Sequence, residues 1–315
     1  MSDIGIVMVT YNSEAEVGAS LDAAVRTGAD VVVVDNASHD GTVAEIRKRG
    51  GVRAIVNGTN LGFAAAVNQG IAVLNSRYVV LLNPDAVIQS GLDPLRAACD
   101  LPGAAAAGGR LVDAAGASQT GFMVRRLPTP ASLILEVLLL NRVWPNNPVN
   151  RRYRALDVDY STLCEVEQPA GAFLMVRRSV WSEMNGLDER FAPLWFEDVD
   201  LCRRMVDRGY RVYFEPKAVA KHTGGHSIAR LPLEMRRFYW YRSLLAYSAK
   251  HFGPMAHRAV CLAVIAGAFP RMAIDLGGER SRKLLSAWGK VVRCAGRSFL
   301  RGRMGDAISG SSSQG

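Results

Sequence analysis

A chain of 315 residues, 49 % hydrophobic, with a mean hydropathy of +0.06, has room for one large α/β domain and an appendage, and is too polar for a polytopic membrane protein. Its five cysteines are odd in number and scattered, with no Cys-x-x-Cys pair. That excludes a disulfide framework or a cysteine zinc site and suits free thiols in a reducing cytosol. The net charge of +9 is lopsided, since residues 228–303 carry 15 Lys+Arg against 3 Asp+Glu and the remainder is net −3.

No basic n-region or apolar h-region opens the chain, so no signal peptide is expected. Apolar, β-branched runs predict strands at Ile4–Thr10, Val31–Val34, Val52–Val56 and Tyr78–Leu82. Helical apolar spacing predicts helices at Glu14–Thr27, Thr42–Arg49, Phe63–Leu74 and Leu92–Cys99 between and after them. The alternation implies an α/β fold, a mostly parallel sheet with helices on both faces. Ala104–Gly109 reads as small and flexible, and Gly121–Asn150 as an excursion or lid. A strand at Ala172–Val176, a helix from about Asp198 to Arg208 and a strand at Arg211–Phe214 follow. After His226 the chain turns helical and basic, and Gly305–Gly315 reads as a disordered tail. The expected divisions are a catalytic domain over 1–227, a basic, aromatic-rich helical extension over 228–303 and a tail over 304–315. The longest late apolar run, Ala259–Phe269, stops at Pro270-Arg271. A spanning helix needs about 20 residues, so no segment of transmembrane length is expected, and this run reads as a buried or interfacial helix.

Four strands deliver polar residues to their carboxyl ends: Thr10-Tyr11-Asn12, Asp35-Asn36, Asn57 with Asn60, and Asn83-Pro84-Asp85. In an open α/β sheet these ends line the ligand crevice. Each alone is also ordinary turn chemistry; the set is explained by a nucleotide. Asp35 can accept from a pyrimidine N–H, Tyr11 can cover the base, and Asn60-Leu61-Gly62-Phe63 offers backbone N–H groups to phosphate. Asp85 can hold a divalent cation, and the cation a diphosphate. No Gly-x-Gly-x-x-Gly and no Gly-x-x-x-x-Gly-Lys-Ser/Thr occurs, which disfavours a dinucleotide oxidoreductase and a P-loop NTPase.

Trp195-Phe196-Glu197-Asp198-Val199-Asp200 places three acids at a helix start behind two aromatics. Carboxylates favour that position through the helix dipole alone. Aromatics beside them also suit a sugar acceptor, with rings stacking on its apolar face and a carboxylate taking a hydroxyl proton. His222, in Lys221-His222-Thr223-Gly224-Gly225-His226-Ser227, could complete a cation site with Asp85. The basic C-terminal quarter interleaves aromatics, as in Arg236-Arg237-Phe238-Tyr239-Trp240. It suits an anionic lipid surface. With no nucleic-acid motif, no nucleic-acid partner is expected.

With Val33-Val34-Asp35-Asn36-Ala37-Ser38, Asn60-Leu61-Gly62-Phe63, Leu82-Asn83-Pro84-Asp85, Gly171-Ala172-Phe173 and Phe196-Glu197-Asp198-Val199-Asp200, the chain resembles the inverting glycosyltransferases of family 2, with the GT-A fold. The resemblance spans Ile4 to Ser227. Asn-Pro-Asp in place of Asp-x-Asp makes it similar to the bacterial rhamnosyltransferases of that family, which use dTDP-L-rhamnose. It implies a donor nucleotide site from Thr10, Tyr11, Asn12, Asp35, Asn60 and Asn83, and acceptor contacts from Trp195 and Phe196. It further implies Mg²⁺ or Mn²⁺ on Asp85 and His222, and Asp198 as the base with Glu197 its neighbour and rival. Implied with it are a lipid-linked or glycan acceptor such as polyprenyl-diphosphate N-acetylglucosamine, and a cytoplasmic place at the inner face of the membrane. A UDP-hexose donor and a homo-oligomer are left open.

Overall fold

The computed structural model describes residues 2–224, 231–278 and 282–301. His226, Ser227 and the 304–315 tail lie outside them. Contacts divide the chain into two units, one of residues up to Leu127 with Arg151–Arg230, the other of Pro128–Asn150 with Leu231 onward. The segment 121–150 therefore divides between them near Leu127.

The first unit is built on a mixed sheet. Its strands are β1 (Ile4–Thr10), β2 (Asp30–Asp35), β3 (Val52–Val56), β4 (Tyr78–Leu82), β5 (Ala86–Ile88), β6 (Ala104–Val112), β8 (Cys164–Val166), β10 (Phe173–Arg177) and β11 (Arg211–His222). They run in the order β3-β2-β1-β4-β10-β6-β11-β5, with β8 beside β11. β7 (Val124–Arg125) and β9 (Gln168–Pro169) form a separate two-stranded ribbon. β1 to β4 are parallel, in registers that pair Thr10 with Asp35 and Asp35 with Val56. Both faces of β1, β2 and β4 are apolar because helices cover the sheet, and Ile6, Val33, Val80 and Leu21 are all buried in one core.

The sheet is less uniformly parallel than strand–helix alternation implies. β10 lies antiparallel between β4 and β6, and β5 and β8 lie antiparallel to β11. Ala104–Gly109 is a second correction, being the start of a buried central strand and not a flexible connector. Its small residues answer close approach. A methyl on Gly108 would lie 2.3 Å from Cβ of Pro169, and one on Gly109 would lie 2.4 Å from the Phe173 ring. β11 extends eight residues beyond Phe214, through a register shift between Glu215 and Val219, to end at His222.

The second unit is helical, with long helices at Leu233–His251, Pro254–Gly278 and Arg282–Arg301. Arg237 makes a bidentate ion pair with Asp275, which also accepts from the Trp288 indole. Buried His257 bridges Ser248 (2.7 Å) and Ser298 (2.9 Å), so one imidazole joins all three helices. Burial lowers its affinity for a proton, which suits a neutral ring between two hydroxyls. The expectation that no segment reaches transmembrane length is corrected. Pro270 lies inside a continuous helix, and Pro254–Gly277 is long and apolar enough to cross a membrane by length and composition. A proline removes one backbone donor without compelling the chain to leave the helix. Met255, Leu262, Phe269 and Ile274 are exposed along this helix.

Candidate active site

The parallel register of β1 to β4 brings their carboxyl ends to one edge of the sheet. Thr10 and Asp35 close the first two strands, both fully buried. The Asp35 carboxylate accepts from the Thr10 hydroxyl (2.8 Å), the Ser38 hydroxyl (2.6 Å) and the Ser38 N–H (2.9 Å). Asn12, at φ 51°, receives the next turn: its N–H donates to Ser38 Oγ and its side-chain oxygen accepts from His39 N–H. Thr10, Asn12 and Asp35 thus fix the shape of the β2 loop, while Tyr11 sits half-exposed between them.

Asn36 extends this network. Its side-chain oxygen accepts from Asn57 and from Leu61 N–H, and its amide donates to the Gly62 carbonyl. Asn60 is exposed and accepts from Gly62 N–H at 2.9 Å, an Asx turn that precedes the helix Phe63–Ala72. Gly62 has φ 87°, and a methyl there would lie 3.3 Å from the Pro193 backbone. Phe63 N–H donates to the Pro193 carbonyl at 2.8 Å. This bond ties the β3 loop to the loop before the acidic helix.

Asn83 is half-buried and is both turn and strand end. Its N–H donates to Ala172, and its carbonyl accepts from Ala86 N–H, closing a turn that holds Asp85 still. Asp85 is 8 % exposed, and its Oδ1 lies 3.5 Å from His222 Nε2. The other side of the imidazole is pinned. Gln119 donates its amide N–H to the His222 carbonyl (2.7 Å), which turns its Oε1 to Nδ1 (3.0 Å). Nδ1 therefore donates to Gln119, and Nε2 is the ring nitrogen turned to Asp85. Phe122 stacks on the ring at 5.4 Å.

This pair fits a divalent cation. One carboxylate oxygen and one imidazole nitrogen at 3.5 Å are too far apart for a strong hydrogen bond. They stand as two donors do in neighbouring positions on one ion, with bonds of about 2.1 Å. No group of three or more His, Cys, Asp and Glu side chains is gathered for a metal among the described residues. An ion here would take its other ligands from a diphosphate and water, as Mg²⁺ does.

The acids separate into three roles. The helix Glu197–Asp207 is entered through Trp195 and Phe196, both left-handed at φ 76° and 71°, a strained turn that aims its first residues. Trp195 is half-buried. Phe196 is 8 % exposed. Asp200 is fully buried and accepts from Arg204 (2.7 Å), which also binds the Met184 and Gly186 carbonyls, a structural clamp. Asp198 is fixed by main chain: Oδ2 accepts from Gly171 N–H (3.0 Å) and Oδ1 from Val199 N–H (2.8 Å). Burial raises its carboxyl above the usual aspartate range despite those donors and the Arg125 guanidinium. Glu197 is buried, and its Oε2 has no hydrogen-bond partner among the described residues. Burial first, and then the charge of Asp198, hold it well above the usual glutamate range. Both neighbours are therefore pushed toward the protonated form, Glu197 further than Asp198.

Three side chains at this site carry no sequence signal: Gln119, Phe122 and Arg125. The ribbon brings the last in. Arg125 is paired with Gln168 across β7 and β9, and Gln168 reaches Asp198 Oδ2 at 3.4 Å.

The family model for glycosyl transferase family 2 matches residues 5–155. The chain is 31 % identical, over 80 % of its length and 87 % of the relative's, to the N-acetylglucosaminyl-diphospho-decaprenol L-rhamnosyltransferase of Mycobacterium tuberculosis. It is similar in fold to a solved mannosyltransferase of Pyrobaculum calidifontis in complex with GDP-Man and Mn²⁺, with a TM-score of 0.52 at 15 % identity, covering 95 % of this chain and 87 % of that one. A second solved structure, GalNAc-T7 with UDP, GalNAc and Mn²⁺, matches with a TM-score of 0.51 at 13 % identity, over 70 % of this chain and 43 % of that one.

Proposed function

The chain belongs to glycosyl transferase family 2, and from that premise we propose that it moves L-rhamnose from dTDP-L-rhamnose to a polyprenyl-diphosphate-linked N-acetylglucosamine. That it is a glycosyltransferase follows from the family; the sugar and the acceptor are the proposal. The observation that carries them is the 31 % identity, sustained along 80 % of the chain, to a relative named for that transfer. The Asn83-Pro84-Asp85 turn, with one acid where two are common, agrees with it.

The chemistry is a single displacement with inversion. Asp198 accepts the proton of the acceptor hydroxyl as its oxygen bonds to the anomeric carbon. The bond from that carbon to the nucleoside diphosphate breaks on the opposite face. Gly171 N–H and Val199 N–H fix the direction of the carboxylate, and its raised proton affinity makes it a stronger base than a surface aspartate. Glu197 beside it, its proton affinity raised by burial, resists adding a second negative charge. Asp35 and Tyr11 would receive the pyrimidine, and Asn12, Asn60 and Asn83 shape the loops around the diphosphate. Mg²⁺ or Mn²⁺ on Asp85 and His222 would offset the charge of the departing diphosphate. The exposed apolar residues of Pro254–Gly278 and the basic, exposed positions Lys290, Arg293 and Arg297 would rest on an anionic bilayer at the cytoplasmic face, where such an acceptor lies.

The test is a thermal-shift panel of dTDP-, UDP- and GDP-sugars with and without Mn²⁺, followed by turnover with dTDP-L-rhamnose and a short-chain prenyl-diphosphate N-acetylglucosamine. A ligand that binds the folded state alone raises the melting temperature. A shift with dTDP-L-rhamnose and an inverted product are expected. A shift with UDP-sugars alone would move the donor assignment, and no shift with any nucleotide sugar would sink it.

A further inference from the structure

Arg125 is a held cation without an acidic partner. Its Nε donates to the Gly121 carbonyl at 3.0 Å, and its guanidinium lies over the Phe122 and Tyr153 rings at 5.9 and 5.8 Å. No carboxylate lies within ion-pair distance of it among the described residues, whereas its neighbour Arg126 is paired with Asp157 and Glu167. Its place is beside the proposed base: Arg125 faces Gln168 across the β7–β9 ribbon, and Gln168 touches Asp198. Its positive charge also bears on Asp198. The far edge of a guanidinium held by Nε and by its faces is a planar fork, the shape that binds phosphate oxygens in pairs.

We propose that Arg125 binds a diphosphate at the acceptor side of the site, the diphosphate that links the acceptor sugar to its lipid. This rests on the acceptor chemistry proposed above. The other source of the same chemistry is the diphosphate of the donor nucleotide, and the two are separable. Binding a charged linker here carries the sugar hydroxyl to Asp198 and leaves the lipid outside the crevice.

The experiment measures the affinity of the full chain for geranyl diphosphate and for thymidine diphosphate, in the wild type, Arg125→Gln and Arg125→Lys, by titration calorimetry. Thermal melts check that each variant is folded. The expected result is at least a tenfold loss of geranyl diphosphate affinity in Arg125→Gln, partial recovery in Arg125→Lys, and thymidine diphosphate affinity within twofold of wild type. Turnover adds a second reading. KM for a diphosphate-linked acceptor should rise in Arg125→Gln, while KM for an uncharged alkyl N-acetylglucosaminide stays unchanged. A loss confined to thymidine diphosphate overturns the acceptor assignment in favour of the donor. Unchanged affinity for both ligands in a folded variant overturns the proposal altogether. Because the titrations need no turnover, a wrong donor or acceptor sugar would appear in the activity assay and leave the binding result standing.

Discussion

Gln119 grips His222 twice, accepting from Nδ1 at 3.0 Å through Oε1 and donating to the His222 carbonyl at 2.7 Å. The two bonds select one tautomer and aim Nε2 at Asp85. Gln119→Leu keeps the volume and removes both. Loss of such a supporting contact weakens metal affinity by about 10–100-fold. Mn²⁺ titration followed by water-proton relaxation should show that loss, with Asp85→Ala losing still more. Unaltered Mn²⁺ affinity in both variants would remove the cation from this pair.

Asp198→Asn should lower kcat by about 10²–10⁴-fold, the usual contribution of a positioned base. The nucleoside diphosphate should still raise the melting temperature, since Asp198 is not among the residues proposed to hold it. In the wild type, kcat should rise with pH through an acid limb above the ordinary aspartate range, because burial raises the Asp198 carboxyl. Asparagine turnover near wild type would transfer the role elsewhere.

Glu197 predicts an inverse pH dependence of stability. Its folded-state carboxyl is raised well above the unfolded value. Between those two values the native state holds more protons than the unfolded state, so stability falls as pH rises. Glu197→Gln removes that loss. The variant should gain on the wild type as pH rises above the ordinary glutamate range, and the gain should shrink toward pH 4. Denaturant melts across that range check the trend, and a gain independent of pH would contradict it.

Gly267 touches the backbone of another helix in its unit. A methyl there would lie 2.1 Å from the Val137 carbonyl oxygen. Gly267→Ala should cost about 1–3 kcal/mol. Gly289→Ala, in the helix Arg282–Arg301 with nothing within 4 Å, should be neutral or stabilising by about 0.5–1 kcal/mol. Paired thermal melts decide it.

The apolar face of Pro254–Gly278 gives a membrane prediction. Leu262→Asp with Phe269→Asp should reduce pelleting with anionic vesicles by roughly tenfold or more, since each buried side chain contributes about 1.5–3 kcal/mol. Raised salt should weaken wild-type pelleting as well, and duplex DNA should not compete. Equal pelleting by the double variant would leave that face without a role at the bilayer.

The strands that carry the crevice were legible because their runs are apolar and β-branched; Ile4–Thr10 and Tyr78–Leu82 begin and end where the pattern does. The polar residues closing them were legible for the same reason, since a strand end fixes where its last side chain stands. β6 was not. Ala-Ala-Ala-Ala-Gly-Gly has weak β-propensity, and only Pro169 and Phe173 crowding Gly108 and Gly109 make that composition necessary. Gln119, Phe122 and Arg125 were illegible because tertiary contacts far along the chain set their place, His222 for the first two and the two-residue ribbon with Gln168 for Arg125. Pro270 misled in the opposite direction, having been read as a stop where the helix continues.

The bond from Phe63 N–H to the Pro193 carbonyl has a kinetic meaning. It couples the Asn60–Gly62 turn, which the proposed function sets beside the donor's diphosphate, to the segment that launches the proposed base. A ligand that stiffens one end of that link restrains the other, so filling the donor pocket also prepares the acceptor half. Under the proposed function, ordered addition, nucleotide sugar before acceptor, is the expected kinetic pattern.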